Sequence, residues 1–237
     1  MKPISFFSKY NSLCIEDLKV DFHLHSTWTD GKNSVLEIIE QAKIHGLNSL
    51  AITDHIRKSS TYFDEYQKEI NHLNTQVNLN LYKGFEAKVN DFYGNIDVKR
   101  EVVEAADIAI VSVHRFPLGR KLYNASEFKV NVAQEIELEL SLAALNSGGF
   151  NVLGHPGGMS LAFFKEFPAD FFEEIIIACV KNDIAFDLNG RYHSSQIDVL
   201  HPLLQKHNPH ISIGTDSHNI LEMGSWNKKL EGYIKCI

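Results

Sequence analysis

Along this chain a short apolar run repeatedly gives way to a helical pattern, and most of the runs end on a histidine, an acidic residue or an asparagine. The runs close at His23-Leu24-His25, Thr53-Asp54-His55, Phe85-Glu86, Val113-His114, Gly154-His155, Leu188-Asn189 and Thr215-Asp216-Ser217-His218. Between them, helical spacing of apolar residues predicts helices near 34–44, 62–77, 99–106, 127–146, 170–181 and 196–207. Ser34 and Glu37 have the spacing of a capping box, and Gly46 and Gly148-Gly149 are suited to ending helices. About seven strand-then-helix units with no break in composition imply one parallel sheet, and that many units can close into an α/β barrel. A doubly wound open sheet is the competing architecture.

The histidines carry the functional signal. Of the 12 in the chain, His23, His25, His55, His114, His155 and His218 fall at or just after expected strand ends, beside Asp30, Asp54, Glu86 and Asp216. In a parallel barrel those ends converge on one face, where sites are assembled from several strands. Period-2 geometry turns His23 and His25 to the same side of their strand, with Val20, Phe22 and Leu24 on the other. So many imidazoles in one cleft cannot all be charged, because like charges repel. Divalent cations resolve the conflict, since neutral imidazole and carboxylate are ligands for Zn, Mn or Fe. So many candidate ligands suit two or three ions with a bridging carboxylate. His45, His72, His193, His201, His207 and His210 lie in expected helices or loops and read as structural or surface residues.

Composition narrows the partners. Net charge is −7 over 237 residues, which argues against wrapping extended nucleic acid by bulk electrostatics. Cys14, Cys179 and Cys236 are few, widely spaced and without a CxxC pair, as in a reducing, cytoplasmic compartment. Residues 1–19 read as an N-terminal extension ahead of a single catalytic domain over 20–237. They lack the apolar core of a signal peptide, and no run is long enough to span a membrane. Basic residues gather after two strand ends, at Arg115, Arg120 and Lys121 with Tyr123, and at Arg191 with Tyr192 and His193. Placed over the metal face they would form an anion-binding mouth, with Arg115 and Arg191 clamping a phosphate.

Taken in order, the motifs HLH, TDG, ITDH, GFEA, SVH, GHP and GTDSH resemble the PHP (polymerase and histidinol phosphatase) superfamily, from about residue 20 to 218. The segment KGFEAKVNDFYGNID is similar to that of its stand-alone trinuclear-metal phosphoesterases. The resemblance implies a distorted seven-stranded (β/α)7 TIM-like barrel holding three divalent ions. His23, His25, Glu86 and Asp216 would hold the first, and Glu86 would bridge to a second held by His114 and His155. His55 and His218 would hold a third, completed by Asp30, with Asp54 supporting from behind. It also implies a phosphatase that attacks a small-molecule phosphomonoester with metal-activated hydroxide, a histidinol-phosphate-like substrate among the candidates. The alternatives are a phosphodiesterase or 3′-exonuclease on nucleotides or short oligonucleotides, and a metal-binding scaffold without turnover.

Overall fold

The strand-and-helix units are present in the order expected of them. The computed structural model describes residues 1–119 and 121–234, so Arg120 and Cys236 lie outside the described residues. The first half alternates β1 (Val20–Leu24), α1 (Val35–Ile44), β2 (Ser49–Ile52), α2 (Phe63–Asn74), β3 (Asn80–Lys88), α3 (Arg100–Ala105) and β4 (Ile108–Ser112). A hairpin of β5 (Phe116–Leu118) and β6 (Lys121–Tyr123) follows. Then come α4 (Val130–Ser147), β7 (Val152–Gly154), α5 (Gly158–Phe164), α6 (Ala169–Lys181) and β8 (Ala185–Asn189). The chain continues through α7 (Gly190–His193), α8 (Ile197–His207), β9 (Ile211–Gly214) and α9 (Ser225–Leu230).

Seven strands form one parallel sheet in the order β1-β2-β3-β4-β7-β8-β9. That order never reverses, which removes the doubly wound alternative. At the C-terminal end β9 meets β1: the Asp216 N–H donates to His23 O at 2.8 Å and the His25 N–H to Ser217 O at 3.1 Å. At the opposite end the N-terminal segment fills the seam. There the Ile211 N–H donates to Ser8 O, and Lys9 pairs antiparallel with His210. The result is a nearly closed, distorted seven-stranded (β/α)7 barrel.

Local signals set most element boundaries. Ser34 and Glu37 cap each other's backbone at the start of α1, and α4 stops at Gly148, whose φ of 67° suits glycine. Several stretches differ from expectation. The helix expected to 77 stops at Asn74, and α4 begins at Val130, after a 3-10 turn over Ala125–Glu127. The two basic stretches after His114 and Asn189 also fold further than expected, into the β5–β6 hairpin and the short α7.

The barrel interior is layered, and the layering makes room for the site. At the floor Phe7, Phe22, Ala51, Ile108, Ile110, Val152 and Ala185 pack together, with Phe6 and Tyr82 against them. Above them the inward positions shrink. A Cβ on Gly154 would overlap the Ser112 hydroxyl, and one on Gly214 would overlap Cβ of His23. β1 departs from simple alternation, because its pairing with β2 shifts by one residue between Asp21 and Leu24. This bulge sends Phe22 to the floor and Leu24 to the outer layer with the helices, while His23 reaches the mouth. His23 and His25 remain on one side, as expected; Phe22 and Leu24 do not share a face.

Candidate metal centre

Glu86 is the hub of the mouth. It projects from β3, is 1% exposed, and accepts a 2.5 Å hydrogen bond from the Ser112 hydroxyl on β4. Its Oε1 lies 3.0 Å from His155 Nε2, 3.1 Å from His114 Nε2 and 3.4 Å from His23 Nε2. Its Oε2 lies 3.0 Å from His55 Nδ1 and 3.5 Å from His25 Nε2. His25 Nε2 is also 3.3 Å from Asp216 Oδ1. Farther out, Asp30 Oδ2 sits 3.4 Å from His55 Nε2 and 3.3 Å from His218 Nε2.

All nine residues expected as ligands are therefore gathered at one place. Three sets have their candidate donor atoms within 4.8 Å of one another: His25, Asp30, His55 and His218; His23, His25 and Asp216; and His55, Glu86 and His114. His25 and His55 each belong to two of these sets. Asp54 is elsewhere, fully buried and accepting from the Ser26 N–H, the Ser26 hydroxyl and the Thr29 hydroxyl.

The buried nitrogens fit a cation. His23 Nε2, both ring nitrogens of His25 and His155 Nδ1 are buried without a hydrogen bond. A histidine serving only the core finds partners for its ring, because an unpaired buried polar atom costs about 1–3 kcal/mol. Electrostatics point the same way. Burial alone would raise the Glu86 carboxyl, but the facing His114 and His23 imidazoles hold it well below its usual range. Burial lowers His25 and His114, whereas His55, despite burial, is lifted to about 10 by Asp30 and Glu86. Carboxylates and imidazoles crowded this closely favour whatever positive charge can be shared among them, a proton or a metal ion.

The frame beneath the ligands is strained and braced. His155 and Asp216 stand at positive φ, 30° and 55°, which costs on the order of 1–3 kcal/mol for a side-chain-bearing residue. The Asp187 Oδ2 accepts the His155 N–H at 3.0 Å and lies 2.8 Å from His23 Nδ1. Asp21 accepts the Thr215 N–H and hydroxyl, fixing the turn that carries Asp216, and burial pushes its own carboxyl up to about 7. Neither aspartate was singled out from the sequence. A signal was present, since an acid in the middle of a buried strand is expensive without a specific partner.

The flanking residues are less uniform. The Arg191 Nε donates to Asp216 O at 3.1 Å and its Nη2 to Glu222 at 3.0 Å. His218 Nδ1 lies 3.0 Å from the same carbonyl and 3.2 Å from Arg191 Nη2, while its Nε2 faces Asp30. Arg115 is exposed and donates to Asn124. His193 is fully buried; its Nδ1 accepts the Asn189 N–H and its Nε2–H donates to Pro156 O, a structural role.

A parallel barrel whose mouth gathers histidines and carboxylates around a central glutamate is the architecture of a metal-dependent hydrolase. Residues 21–191 match the family model of the PHP domain, and the chain belongs to that family. It is 28% identical over 214 residues to DNA polymerase/3′-5′ exonuclease PolX of Bacillus subtilis; the match covers 86% of this chain but only 35% of that protein. It is 23% identical over 226 residues to the probable phosphatase YcdX of Escherichia coli, covering 90% of this chain and 83% of that one. Among solved structures, it resembles histidinol phosphate phosphatase from Lactococcus lactis, crystallised with zinc, L-histidinol and phosphate. The TM-score is 0.70 at 21% identity, covering 91% of this chain and 92% of the other, a likeness of fold.

Proposed function

We propose that the mouth of the barrel is the active centre of a metal-dependent phosphomonoesterase acting on a small molecule. Membership of the PHP family, with relatives named as phosphatases matched over 83% of their length, makes the chain a hydrolase of phosphate esters. The observation that carries the finer reading is Glu86, a buried carboxylate within 3.5 Å of five imidazoles, three of which keep an unpartnered buried nitrogen. His23, His25, Glu86 and Asp216 would hold one ion, Glu86 with His114 and His155 a second, and His55, His218 and Asp30 a third. Bound divalent ions supply a hydroxide nucleophile near neutral pH and positive charge against the phosphoryl oxygens. The donor chemistry accepts Zn, Mn or Fe, and the Lactococcus structure holding zinc supports the first.

The protein's own groups bind and orient the ester. Arg191 is held by Asp216 O and Glu222 with its Nη1 group unused among the described residues, so it can present two N–H donors to a phosphate at the mouth. Arg115, on the hairpin side, would leave Asn124 to make a second contact. The L-histidinol and phosphate in the Lactococcus structure make a histidinol-phosphate-like ester a candidate substrate. Elemental analysis of the purified chain with a phosphate-release screen tests the reading. Release from p-nitrophenyl phosphate should exceed that from its bis ester and from oligonucleotides. The opposite order would favour a second reading, nuclease or phosphodiesterase action, which the likeness to PolX supports.

A further inference from the structure

The deepest unexplained group near the mouth is the Asp187 carboxylate on β8. It is fully buried, and its Oδ1, beside Gly214, has no hydrogen-bond partner. Its Oδ2, in contrast, receives three donors: His23 Nδ1 at 2.8 Å, the His155 N–H at 3.0 Å and the Asn189 side-chain amide at 2.9 Å. Two of these come from His23 on β1 and from His155 just past β7, and they act on those residues differently. The bond to His23 fixes the ring tautomer, with the proton on Nδ1 and the lone pair of Nε2 directed at Glu86, 3.4 Å away. The bond to the His155 N–H restrains a peptide whose φ of 30° an L residue avoids. That backbone setting is what carries the His155 ring to Glu86 and His114, at 3.0 and 3.3 Å.

We propose that Asp187 is a positioning residue that couples two cation positions, because one of its oxygens sets the ring of His23 and the backbone of His155 together. The proposal rests on reading the mouth as a metal centre. His23 would serve one ion and His155 a second, so the oxygen that orients both makes the two ions stand or fall as a pair. The ion that His55, His218 and Asp30 would hold lies outside the coupling, since none of these three residues bonds to Asp187. Asn189 is the outer support: its amide holds Oδ2, and its backbone N–H is held by the buried His193.

The test is the metal content of the purified full-length chain, measured by elemental analysis without reference to hydrolysis. The wild type should hold about three ions per chain and Asp187→Ala about one, the paired ions being lost together. Ions reloaded into Asp187→Ala should leave to a chelator roughly 10- to 100-fold faster, the usual cost of removing an outer partner of a metal-bound histidine. Asp187→Asn keeps an oxygen that can accept all three donors, so it should restore the pair. Should Asp187→Ala fail to fold, Asp187→Leu keeps the branched shape, with methyl groups in place of the two oxygens and no acceptor, and is held to the same expectation. Loss of a single ion, or of none, in the acceptor-free variant would overturn the coupling. So would an Asp187→Asn chain as metal-poor as the Ala or Leu variant. A wild type without bound metal would overturn the metal-centre reading itself, an outcome distinct from three ions in the wild type and two in Asp187→Ala.

Discussion

At the floor of the barrel Phe7, Phe22 and Ile108 meet as apolar surfaces, whereas at its mouth five imidazoles converge on the Glu86 carboxylate. The floor is held by contacts that gain from burial: Phe6 packs on Phe22 and Tyr82 with ring centroids 5.4 and 5.1 Å apart. The mouth is held against burial. Its polar atoms are taken out of water, some without partners, and two of its residues are strained. The difference teaches where stability and function reside. Residues 1–19 serve the first, since Phe7 is 2% exposed and lies in the floor layer. The mouth draws on the rigidity of that lower layer to keep ionisable groups closer together than they would settle unaided.

The sharpest way to break this division is to remove the hub. Glu86→Ala should lose two ions at once and reduce phosphate release to background, while the chain remains folded on its intact floor. Full metal content in the variant would end the bridging assignment. Phe7→Ala is the converse experiment. It should cost about 3–5 kcal/mol in denaturant unfolding, as for a buried aromatic truncated in a core. Metal content and turnover per folded molecule should stay near those of the wild type. A loss of metal from this floor substitution would mean that the two ends are not separable. Between these, Arg191→Ala should raise KM for p-nitrophenyl phosphate roughly 10- to 100-fold, the worth of hydrogen bonds to a charged group. Unchanged KM and kcat would remove Arg191 from the phosphate site.

Much of this was legible in the residues, for a physical reason. A strand end in a parallel barrel is a place as well as a conformation, so ligand-type residues at successive strand ends are neighbours whatever their separation in sequence. His23 and His218 show it: nearly two hundred positions apart, they flank His25, with ring centroids 5.3 and 4.3 Å from it. What stayed hidden depended on register and on side chains that act through others. The bulge in β1 could not be read from Val20, Phe22 and Leu24, which alternate cleanly as letters; only pairing with Ser49–Ile52 reveals the extra residue. Asp21 and Asp187 were hidden because a buried acid is intelligible only once its donors are known. The hairpin after His114 lies in a stretch read as a basic loop, since strands of three residues leave little periodicity to detect.

His193 sharpens the comparison further, because it is a histidine at the mouth end that behaves like the floor. Burial lowers its pKa to about 4, and each ring nitrogen already has a partner, Asn189 N–H at 3.1 Å and Pro156 O at 2.8 Å. Protonation would put a hydrogen on Nδ1 against the Asn189 N–H, so the folded chain resists it. In the unfolded chain the same ring takes a proton near its usual value of 6.5. The unfolded state therefore binds more protons between these two values, and stability must fall as pH drops through that window. The stabilising term is complete above about 6.5 and gone below about 4, and between pH 7 and 5 it amounts to about 2 kcal/mol. Denaturant unfolding of wild type and His193→Asn at both pH values isolates it from the other titrating groups. The asparagine oxygen can still accept the Asn189 N–H but does not titrate, so the variant should lose about that much less on acidification. Equal losses in the two proteins would mean that His193 takes up its proton in the fold as readily as in the unfolded chain, so that its two hydrogen bonds do not hold the ring neutral.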